Sequence, residues 1–380
     1  MSHEQDLVYI KQALALARRG YGKASPNPMV GAVLVKRGAV IGKGFHLGPG
    51  RPHAEALALE QAGRRSKGAT LYTNLEPCCH TQKRTPPCSH AIIQSGVQKV
   101  VSSMADPNPL VSGKGFATLR QSGIEVREGL MRLEAEGLNE AFIKFMTTQK
   151  PLVILKAAMT LDGRIATGKG KSRWITGEAA RKEVHRLRAG VDAVMVGIGT
   201  VLADDPMLTV RHRRVRNPLR VVIDSDLKIP LKSKLVTSLA EAETLLITTS
   251  KAPVKKAEKL SAMGLSICSL PSRKREIPFR SILKALGKRG IISVLVEGGG
   301  QVNGIALRSG EVDRVIFYVA PKLLCGEDAR GVVSGRSIPL LSNAIGLDQF
   351  KIGRVGEDLR IEGYLHKRVG LQDQIPGGKP

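Results

Sequence analysis

Residues 53–55 read His-Ala-Glu, residues 76–80 read Glu-Pro-Cys-Cys-His, and a further cysteine follows at position 88. His53, Cys78 and Cys88 are ligands of the kind that bind catalytic zinc, and three protein ligands leave a fourth position open for water. Glu55 stands two residues after the histidine, where a carboxylate can lie near the metal without binding it and can transfer protons. Together the three segments predict the zinc site of a hydrolytic deaminase, with Glu55 as its catalytic residue.

Taken one at a time, these residues have simpler explanations. A His-x-Glu sequence is more often a solvated helix start, and a lone cysteine is usually a small buried apolar residue. The combination in this order, with a predicted strand before the Pro-Cys pair, is much more specific. The chain has five cysteines, an odd number with three of them clustered, which does not resemble a disulfide framework. The cluster therefore indicates metal binding or catalysis.

The apolar segments around this stretch alternate between strand and helix patterns in both halves of the chain. Runs such as 69–75 and 97–104 in the first half, and 193–196 and 294–297 in the second, predict α/β layered domains. A chain of 380 residues also exceeds the size at which single hydrophobic cores stop growing. We expect, in chain order, a first domain at 1–146, a polar joint at 144–150, a second domain at 150–368 with a final edge strand at 359–366, and a disordered tail at 369–380.

The formal charge of +26 is the most unusual bulk property of the chain. Such a charge attracts anions and favours phosphorylated substrates or nucleic acid. Aromatic residues make up only 3% of the chain, whereas single-strand binding needs aromatic stacking platforms, so we expect no nucleic-acid partner. No apolar stretch reaches the length of about eighteen residues that spans a bilayer. Because no secretory signal is visible at the start either, we expect a cytoplasmic protein with no membrane partner.

Two further segments accompany the metal motif. Residues 25–33 read Ser-Pro-Asn-Pro-Met-Val-Gly-Ala-Val, and residues 106–109 read Asp-Pro-Asn-Pro. With residues 76–88, they closely resemble the deaminase half of the bifunctional riboflavin-biosynthesis deaminase/reductases. The resemblance implies a cytidine-deaminase-like three-layer domain, in which the base and ribose phosphate bind in a pocket lined by Asn27, His46, Arg84, Asp106 and Asn108. Asn-Pro and Asp-Pro are also ordinary turn-formers, which is the alternative interpretation.

The segment between the cysteines departs from the family pattern. It is one residue longer, and it contains Cys79 and His80 as further candidate ligands. A shift in register would give the metal to Cys79 instead. We predict that Cys78 binds it, because Pro77 keeps the motif attached to the preceding strand and adjacent residues project in different directions. The added residue is then expected to bulge within residues 81–84, where extra loop length costs little.

The second half has its own set of motifs. Residues 156–166 read Lys-Ala-Ala-Met-Thr-Leu-Asp-Gly-Arg-Ile-Ala, residues 172–176 read Ser-Arg-Trp-Ile-Thr, and residues 297–300 read Glu-Gly-Gly-Gly. In this order they resemble the reductase half of the same family, an α/β domain similar in fold to dihydrofolate reductase. The resemblance implies that NADPH contacts Ala158, Trp174, Thr200, Asp204, Ser225, Gly299 and Gly300. It implies that the substrate contacts Ser172, Arg188, Leu208, Arg211 and Glu297.

The chemistry of these motifs supports the same interpretation. Glycines at a strand-to-helix turn let backbone amides approach a pyrophosphate, although a glycine triplet alone is also compatible with a tight turn. No Gly-x-Gly-x-x-Gly opens this domain, which argues against an ordinary dinucleotide-binding fold. Trp174 could be a core anchor, but the family pattern makes it a cofactor contact. Arg188 and Arg211 could be solvated charges, but we expect one or both to bind the substrate phosphate. No side chain stands out as the proton donor of a reduction.

The resemblance implies one enzyme with two activities and with Zn²⁺ and NADPH as cofactors. The first domain is expected to hydrolyse the 2-amino group of 2,5-diamino-6-ribosylamino-4(3H)-pyrimidinone 5′-phosphate. The second is expected to reduce the ribosyl group of 5-amino-6-(5-phosphoribosylamino)uracil to ribityl. We expect phosphoribosyl pyrimidines as partners and a homo-oligomer. The alternative is a nucleic-acid deaminase of the tRNA-editing type with an accessory binding domain, and RNA binding that falls steeply with salt would support it.

Overall fold

The computed structural model describes residues 2–80, 86–211, 216–272 and 276–365. The chain forms two compact units, one that runs to Gln149 and one that begins at Lys150. Arg84, the predicted bulge at 81–84 and the predicted tail at 369–380 lie outside the described residues. Within the described ranges, no helix is both long enough and apolar enough to cross a membrane.

The first unit is built on a five-stranded sheet. Its elements, in chain order, are α1 (His3–Ala17), β1 (Gly31–Lys36), β2 (Ala39–Phe45), α2 (Ala54–Ala62), β3 (Thr70–Thr73), α3 (Cys88–Gln94), β4 (Lys99–Ser102), α4 (Lys114–Gln121), β5 (Glu125–Arg127), α5 (Arg132–Leu138) and α6 (Glu140–Thr148). The strand order is β2-β1-β3-β4-β5. Strand β1 is antiparallel to β2 and β3, whereas β3, β4 and β5 are parallel. Helix α1 begins at a capping box formed by Ser2 and Gln5.

Glycines allow helices to approach this sheet closely on both faces. A Cβ on Gly31 would lie 2.1 Å from the carbonyl oxygen of Ala13 in α1, and a Cβ on Gly44 would lie 2.1 Å from that of Ala54 in α2. Gly31 is paired with Phe45, so it points to the opposite face from Gly44, since side chains alternate along a strand. Helices α1 and α2 therefore cover opposite faces, which gives the three-layer arrangement predicted for a cytidine-deaminase-like domain.

The second unit is built on a nine-stranded sheet. Its elements, in chain order, are β6 (Leu152–Thr160), β7 (Arg164–Ala166), α7 (Glu178–Ala189), β8 (Ala193–Gly197), α8 (Ile198–Asp204), β9 (Leu219–Ile223), α9 (Lys234–Thr237), β10 (Thr244–Thr249), α10 (Val254–Ala262), β11 (Ser266–Leu270), α11 (Phe279–Gly287), β12 (Ser293–Val296), α12 (Gly300–Arg308), β13 (Arg314–Ala320), β14 (Arg330–Gly331), β15 (Asp348–Val355) and β16 (Asp358–Tyr364). The strand order is β11-β10-β9-β8-β12-β6-β13-β16-β15, and β7 pairs separately with β14. The strands from β11 to β13 are parallel, and β16 and β15 complete the sheet as an antiparallel hairpin.

The centre of this sheet positions the predicted reductase residues. Strands β8 and β12 are buried along their whole length, as expected of strands covered on both faces in a parallel sheet. In such sheets, ligands bind in the crevice outside the carboxyl ends of the strands. Residues 198–200 follow β8, residues 224–225 follow β9, and residues 297–300 follow β12, and these three strands are neighbours in the sheet. The predicted cofactor segments therefore lie along one edge of the sheet.

The structure differs from the sequence-based organisation at two places. The predicted edge strand at 359–366 corresponds to β16, which lies between β13 and β15, so β15 forms this edge instead. Strand β15 is exposed at nearly every position. An apolar run marks a buried strand, so the sequence gives no such signal for β15. The predicted polar joint at 144–150 contains the boundary between the units, after Gln149, but its first part is helical because α6 continues to Thr148.

Candidate active sites

The predicted metal ligands converge at the starts of two helices. His53 is the N-cap residue of α2, Cys88 is the first residue of α3, and Cys78 lies in the segment after β3. His53 Nδ1 lies 3.5 Å from Cys78 Sγ and 3.3 Å from Cys88 Sγ, and the three ligand atoms lie within 4.8 Å of one another. The Cys88 backbone N–H donates to Cys78 Sγ at 3.4 Å, which favours the thiolate that a metal needs.

These separations fit one tetrahedral zinc ion. Zinc binds histidine nitrogen at about 2.0 Å and cysteine sulfur at about 2.3 Å, so the nitrogen and sulfur of two ligands lie about 3.5 Å apart. Of the described residues, His53, Cys78 and Cys88 form this group, and Cys79 and His80 are not part of it. Burial raises the pKa of the Cys79 thiol, and the nearby charges of Glu76 and Cys78 act in the same direction, which disfavours a thiolate there.

Glu55 lies beside the ligands without joining them. It is on the first turn of α2, two residues after His53, and its side chain is buried with 3% of the residue exposed. The N-terminus of a helix favours negative charge, and burial keeps bulk water from competing for the proton. A carboxylate in this position can accept a proton from water and release it to a leaving group.

Asn27 and His46 form a pair next to the ligand histidine. Asn27 Nδ2 lies 2.9 Å from His46 Nε2, and His46 Nδ1 lies 3.2 Å from the Pro52 carbonyl oxygen. A carbonyl can only accept, so the histidine proton is on Nδ1 and Nε2 accepts from the asparagine amide. Burial lowers the pKa of His46, which favours this neutral form. The rings of His46 and His53 meet edge to face, with their centroids 5.3 Å apart.

Asp106 and Asn108 form the turn that follows β4. The Asn108 N–H donates to Asp106 Oδ1 at 2.8 Å, and the Leu110 N–H donates to Asn108 Oδ1 at 3.0 Å. The turn-forming interpretation therefore accounts for part of what these residues do. Burial raises the pKa of Asp106 to about 7, against the opposing effect of the Asn108 N–H.

Sequence reasoning missed Glu76, a buried carboxylate of this unit. Its carboxylate is buried, with 2% of the residue exposed, and it accepts hydrogen bonds from four backbone N–H groups between residues 106 and 116. Because the donors are backbone amides, no pattern of side-chain types in the sequence signals them.

The glycine segment of the second unit forms the turn between β12 and α12. Gly299 is the N-cap residue of α12, and its N–H donates to Thr200 Oγ1 at 2.9 Å. Gly298 has a φ of 93°, in the left-handed region that favours glycine, and its carbonyl accepts from the Gly197 N–H at 3.0 Å. None of the described side chains caps α12, and the first N–H groups of a helix have no intrahelical acceptor. Such amides fit the pyrophosphate of NADPH.

Glu297 is buried between two cations. Arg188 Nε and Nη2 donate to its two oxygens at 2.6 and 3.0 Å, and Lys156 Nζ lies 3.6 Å from Oε2. Burial alone would raise the pKa of Glu297, but the positive charges of Arg188 and Lys156 outweigh it and lower the pKa to about 2. Arg188 also donates to the Thr209 carbonyl oxygen at 3.1 Å. The two predicted substrate contacts thus bind each other, and Lys156 is a member of the cluster that sequence reasoning missed.

The other predicted reductase residues lie along the same edge or near it. Ser172 Oγ donates to Asp204 Oδ1 at 2.7 Å, so a predicted substrate contact and a predicted cofactor contact bind each other. Trp174 is 61% exposed and therefore is no core anchor; the Arg181 guanidinium lies 4.6 Å from its ring centroid. The remaining positions are Ala158, half-buried in β6, Ser225, whose carbonyl accepts from Thr249 Oγ1 at 3.0 Å, Leu208, which is buried, and Arg211, which is exposed.

Comparison with known proteins identifies both units. Residues 151–360 match the model of the RibD C-terminal domain, and residues 3–104 match that of the cytidine and deoxycytidylate deaminase zinc-binding region. The chain is 43% identical over 357 residues to the riboflavin biosynthesis protein RibD of Actinobacillus pleuropneumoniae, with 94% of each chain covered. The chain belongs to the RibD family. It is also 44% identical over 362 residues to the RibD of Aquifex aeolicus, with 95% of this chain and 99% of the relative covered.

Solved structures agree with this assignment. A structure of Acinetobacter baumannii RibD matches with a TM-score of 0.86 and 38% identity, and a deaminase/reductase of Thermotoga maritima matches with 0.82 and 37%. In both comparisons, 95% of this chain and 99% of the other are covered. The chain is therefore a bifunctional enzyme of riboflavin biosynthesis, with a zinc-dependent deaminase and an NADPH-dependent reductase. The predicted family, fold class and cofactors are confirmed.

Proposed function

We propose that the two units act in succession on one phosphoribosyl pyrimidine. The first hydrolyses the 2-amino group of 2,5-diamino-6-ribosylamino-4(3H)-pyrimidinone 5′-phosphate, and the second reduces the ribosyl group of the resulting 5-amino-6-(5-phosphoribosylamino)uracil to ribityl. The Thermotoga maritima relative is described as a deaminase and reductase of these two compounds. The observation that carries the proposal is the His53-Cys78-Cys88 group beside buried Glu55, in a chain similar to RibD proteins over 94% of its length.

In the deaminase unit, His53, Cys78 and Cys88 would hold zinc. Bound zinc lowers the pKa of a water molecule toward neutrality. Glu55 would pass the two protons of the attacking water to the ring nitrogen and the departing amino nitrogen, so that a C=O bond replaces the C–N bond and ammonia leaves.

The substrate of the deaminase would be held by the side chains around this centre. Asn27 and His46 are assigned to the pyrimidine, and the contact of Asn27 Nδ2 with His46 Nε2 fixes the orientation of the Asn27 amide. Asp106 and Asn108, on the turn after β4, and Arg84 are assigned to the base and the ribose phosphate.

In the reductase unit, NADPH supplies the hydride that reduces the ribosyl carbon. The α12 N-terminus at Gly299 and Gly300 would bind its pyrophosphate, because first-turn amides without an intrahelical acceptor and the helix dipole favour anions there. Thr200 fixes this turn through the Gly299 N–H. The further cofactor contacts are assigned to Ala158, Trp174, Asp204 and Ser225.

The reductase substrate would bind next to the Glu297 cluster. Glu297 orients Arg188 and Lys156 at the carboxyl edge of the sheet. Lys156 Nζ can hold the proton that the reduced product must receive, because burial lowers the pKa of Lys156 while Glu297 opposes that effect. Exposed Arg211 is assigned to the substrate phosphate, and Ser172 and Leu208 complete the set.

The partners follow from this chemistry. Phosphorylated pyrimidines, NADPH and thiolate zinc ligands belong to a reducing compartment, so we infer a cytoplasmic enzyme. The charge of +26 then serves anionic substrates, and no nucleic-acid or membrane partner is required. We retain a homo-oligomer as part of the proposal.

Product mass tests the proposal. The chain is incubated with the diaminopyrimidinone substrate, with and without NADPH. Without NADPH, the substrate should lose an amino group and gain an oxygen; with NADPH, the product should gain two further hydrogens. Absence of deamination by the zinc-loaded chain would overturn the proposal. RNA binding that falls steeply with salt would favour the nucleic-acid alternative.

A further inference from the structure

Glu76 joins the metal-ligand segment to the loop that carries two proposed substrate contacts. It directly precedes Pro77 and Cys78 in the chain. Its Oε2 accepts from the N–H groups of Asp106 at 3.0 Å and Gly113 at 2.9 Å. Its Oε1 accepts from the N–H groups of Gly115 at 2.8 Å and Phe116 at 3.2 Å. One buried carboxylate therefore ties down both ends of the loop from residue 106 to residue 113.

Three of these four donors lie at the start of α4. Gly113 is its N-cap residue, and Gly115 and Phe116 are in its first turn. A glycine has no side chain with which to cap, and none of the described side chains local to this terminus does so. Helix starts leave their first N–H groups without acceptors, and a negative charge is favourable there. Glu76 supplies both the acceptors and the charge from a different part of the chain.

The two glycines allow this close contact. Gly113 has a φ of 81°, which favours glycine. A Cβ on Gly115 would lie 2.1 Å from the Pro77 carbonyl oxygen, so the start of α4 packs directly on the ligand segment. The Glu76 N–H also donates to the Met104 carbonyl oxygen at 3.0 Å, just before the loop begins.

We propose that Glu76 is a positioning residue of the deaminase. It holds the loop 106–113 on the Pro77-Cys78 segment, so that Asp106 and Asn108 meet the substrate at a fixed distance from the metal site. It acts through backbone amides and touches neither substrate nor metal. The inference rests on the proposed substrate roles of Asp106 and Asn108.

The role separates binding from the chemical step. A loosened loop must be ordered again each time substrate binds, so part of the binding energy is lost and KM rises. Glu55 and the three metal ligands lie outside the loop 106–113. We therefore expect kcat at saturation to change much less than KM. A residue that only stabilised the fold would change the amount of active enzyme and leave KM unaltered.

Glu76→Gln in the full chain tests this, with Glu136→Gln as the matched control. Glutamine keeps the size of the side chain but sets an NH₂ group against two backbone N–H donors. Glu136 is also buried in the first unit, with 5% exposed, but its partner is Arg132 on the same helix at 2.6 Å. We expect Glu76→Gln to raise the deaminase KM about tenfold while kcat stays within about threefold, and Glu136→Gln to leave both near wild type.

Amide hydrogen exchange over residues 106–116 gives a readout that needs neither substrate nor activity. Exchange should be faster in Glu76→Gln than in wild type and unchanged in Glu136→Gln. Unchanged exchange and unchanged KM, or a loss of kcat with KM unaltered, would overturn the inference. If exchange is faster in Glu76→Gln but the wild-type chain does not deaminate the pyrimidine, the result counts against the proposed function and not against the positioning role of Glu76. If Glu76→Gln does not fold, Glu76→Asp, which keeps the charge on a shorter stem, should show the same KM increase; an unaltered KM there would also overturn the inference.

Discussion

Cys78 and Cys79 are adjacent in the chain, yet of the described cysteines only Cys78 and Cys88 belong to the ligand group. We therefore expect Cys78→Ser to lose zinc and deamination, because serine is a poor substitute for a thiolate ligand. Cys79→Ser should keep both, since the Cys79 thiol is held protonated by burial and by nearby negative charge. Metal analysis of the two purified variants decides between them. Zinc lost from Cys79→Ser and kept in Cys78→Ser would show that Cys79, and not Cys78, is the zinc ligand.

At the same scale, Glu297 gives the reductase unit an acid-sensitive stability. Its pKa is about 2, whereas the ordinary value for glutamate is about 4.3. A carboxylate whose pKa is lower in the folded state stabilises the fold above its unfolded pKa, and this contribution is lost as the pH falls toward its folded pKa. We expect the free energy of unfolding of the second unit to decline between about pH 4 and pH 2.

The variant Glu297→Gln should be less stable than wild type by about 3–5 kcal/mol at neutral pH, because Arg188 and Lys156 are left as uncompensated buried charges. It should also lose much of the decline between pH 4 and pH 2. Denaturant unfolding followed across this pH range measures both effects. An equally steep decline in wild type and variant would show that another carboxylate is responsible.

The metal ligands and Glu55 could be predicted from the sequence because their chemistry requires particular residue types at short spacing. Glu76 and Lys156 could not be predicted as site residues. Glu76 binds backbone amides, which every residue has, and Lys156 meets Glu297 only because β6 and β12 are neighbours in the sheet. Side-chain identity therefore predicted the His53-Cys78-Cys88 group that the structure brings together, and only the fold revealed Glu76 and Lys156.

At the scale of elements, the buried strands were predictable and the exposed ones were not. Strands β8 and β12 are short runs of apolar residues that are buried throughout, so their sequence alone marks them. Strand β15 is exposed along its length and gives no such run, and it displaces β16 from the predicted edge position. The polar sequence at 144–150 predicts a joint, yet its first five residues form the end of α6, whose first half is anchored in the core.

The approach of α2 to β2 depends on the absence of a side chain at Gly44. An alanine Cβ there would lie 2.1 Å from the Ala54 carbonyl oxygen and 2.8 Å from the Leu57 Cβ. Gly44→Ala should therefore displace the first turn of α2, which carries His53 and Glu55. We expect a loss of about 1–3 kcal/mol in the stability of the first unit and weaker zinc binding, with reductase activity retained.

Gly353→Ala is the control for this change. Gly353 is in strand β15, and a Cβ there would have no heavy atom within 4 Å among the described residues. Zinc titration and thermal unfolding of both variants measure the effects. Wild-type zinc affinity in Gly44→Ala would show that α2 does not depend on this contact.

For the molecule as a whole, the charge of +26 should steer anionic substrates to both units. Attraction between a positive protein and a phosphorylated ligand is screened by salt, with a Debye length of about 10 Å at 0.1 M. We expect kcat/KM for both phosphorylated substrates to fall as ionic strength rises from 0.01 to 0.3 M, about tenfold or less. The dephosphorylated pyrimidines serve as controls and should show a weaker dependence. Equal salt dependence with and without the phosphate would contradict a steering role for the charge.

The central claim is that one chain contains two separate sites that act in sequence, and Glu55→Gln tests it most directly. The variant is incubated with NADPH and either the diaminopyrimidinone or the deaminated uracil, and products are followed by mass, with Glu60→Gln on the exposed face of α2 as control. Glu55→Gln should keep its zinc, leave the diaminopyrimidinone unchanged and reduce the deaminated compound at the wild-type rate, because the glutamine cannot carry the proton while the second unit is intact. Glu60→Gln should perform both steps. Deamination by zinc-loaded Glu55→Gln, or failure of the folded variant to reduce the deaminated compound, would contradict the account.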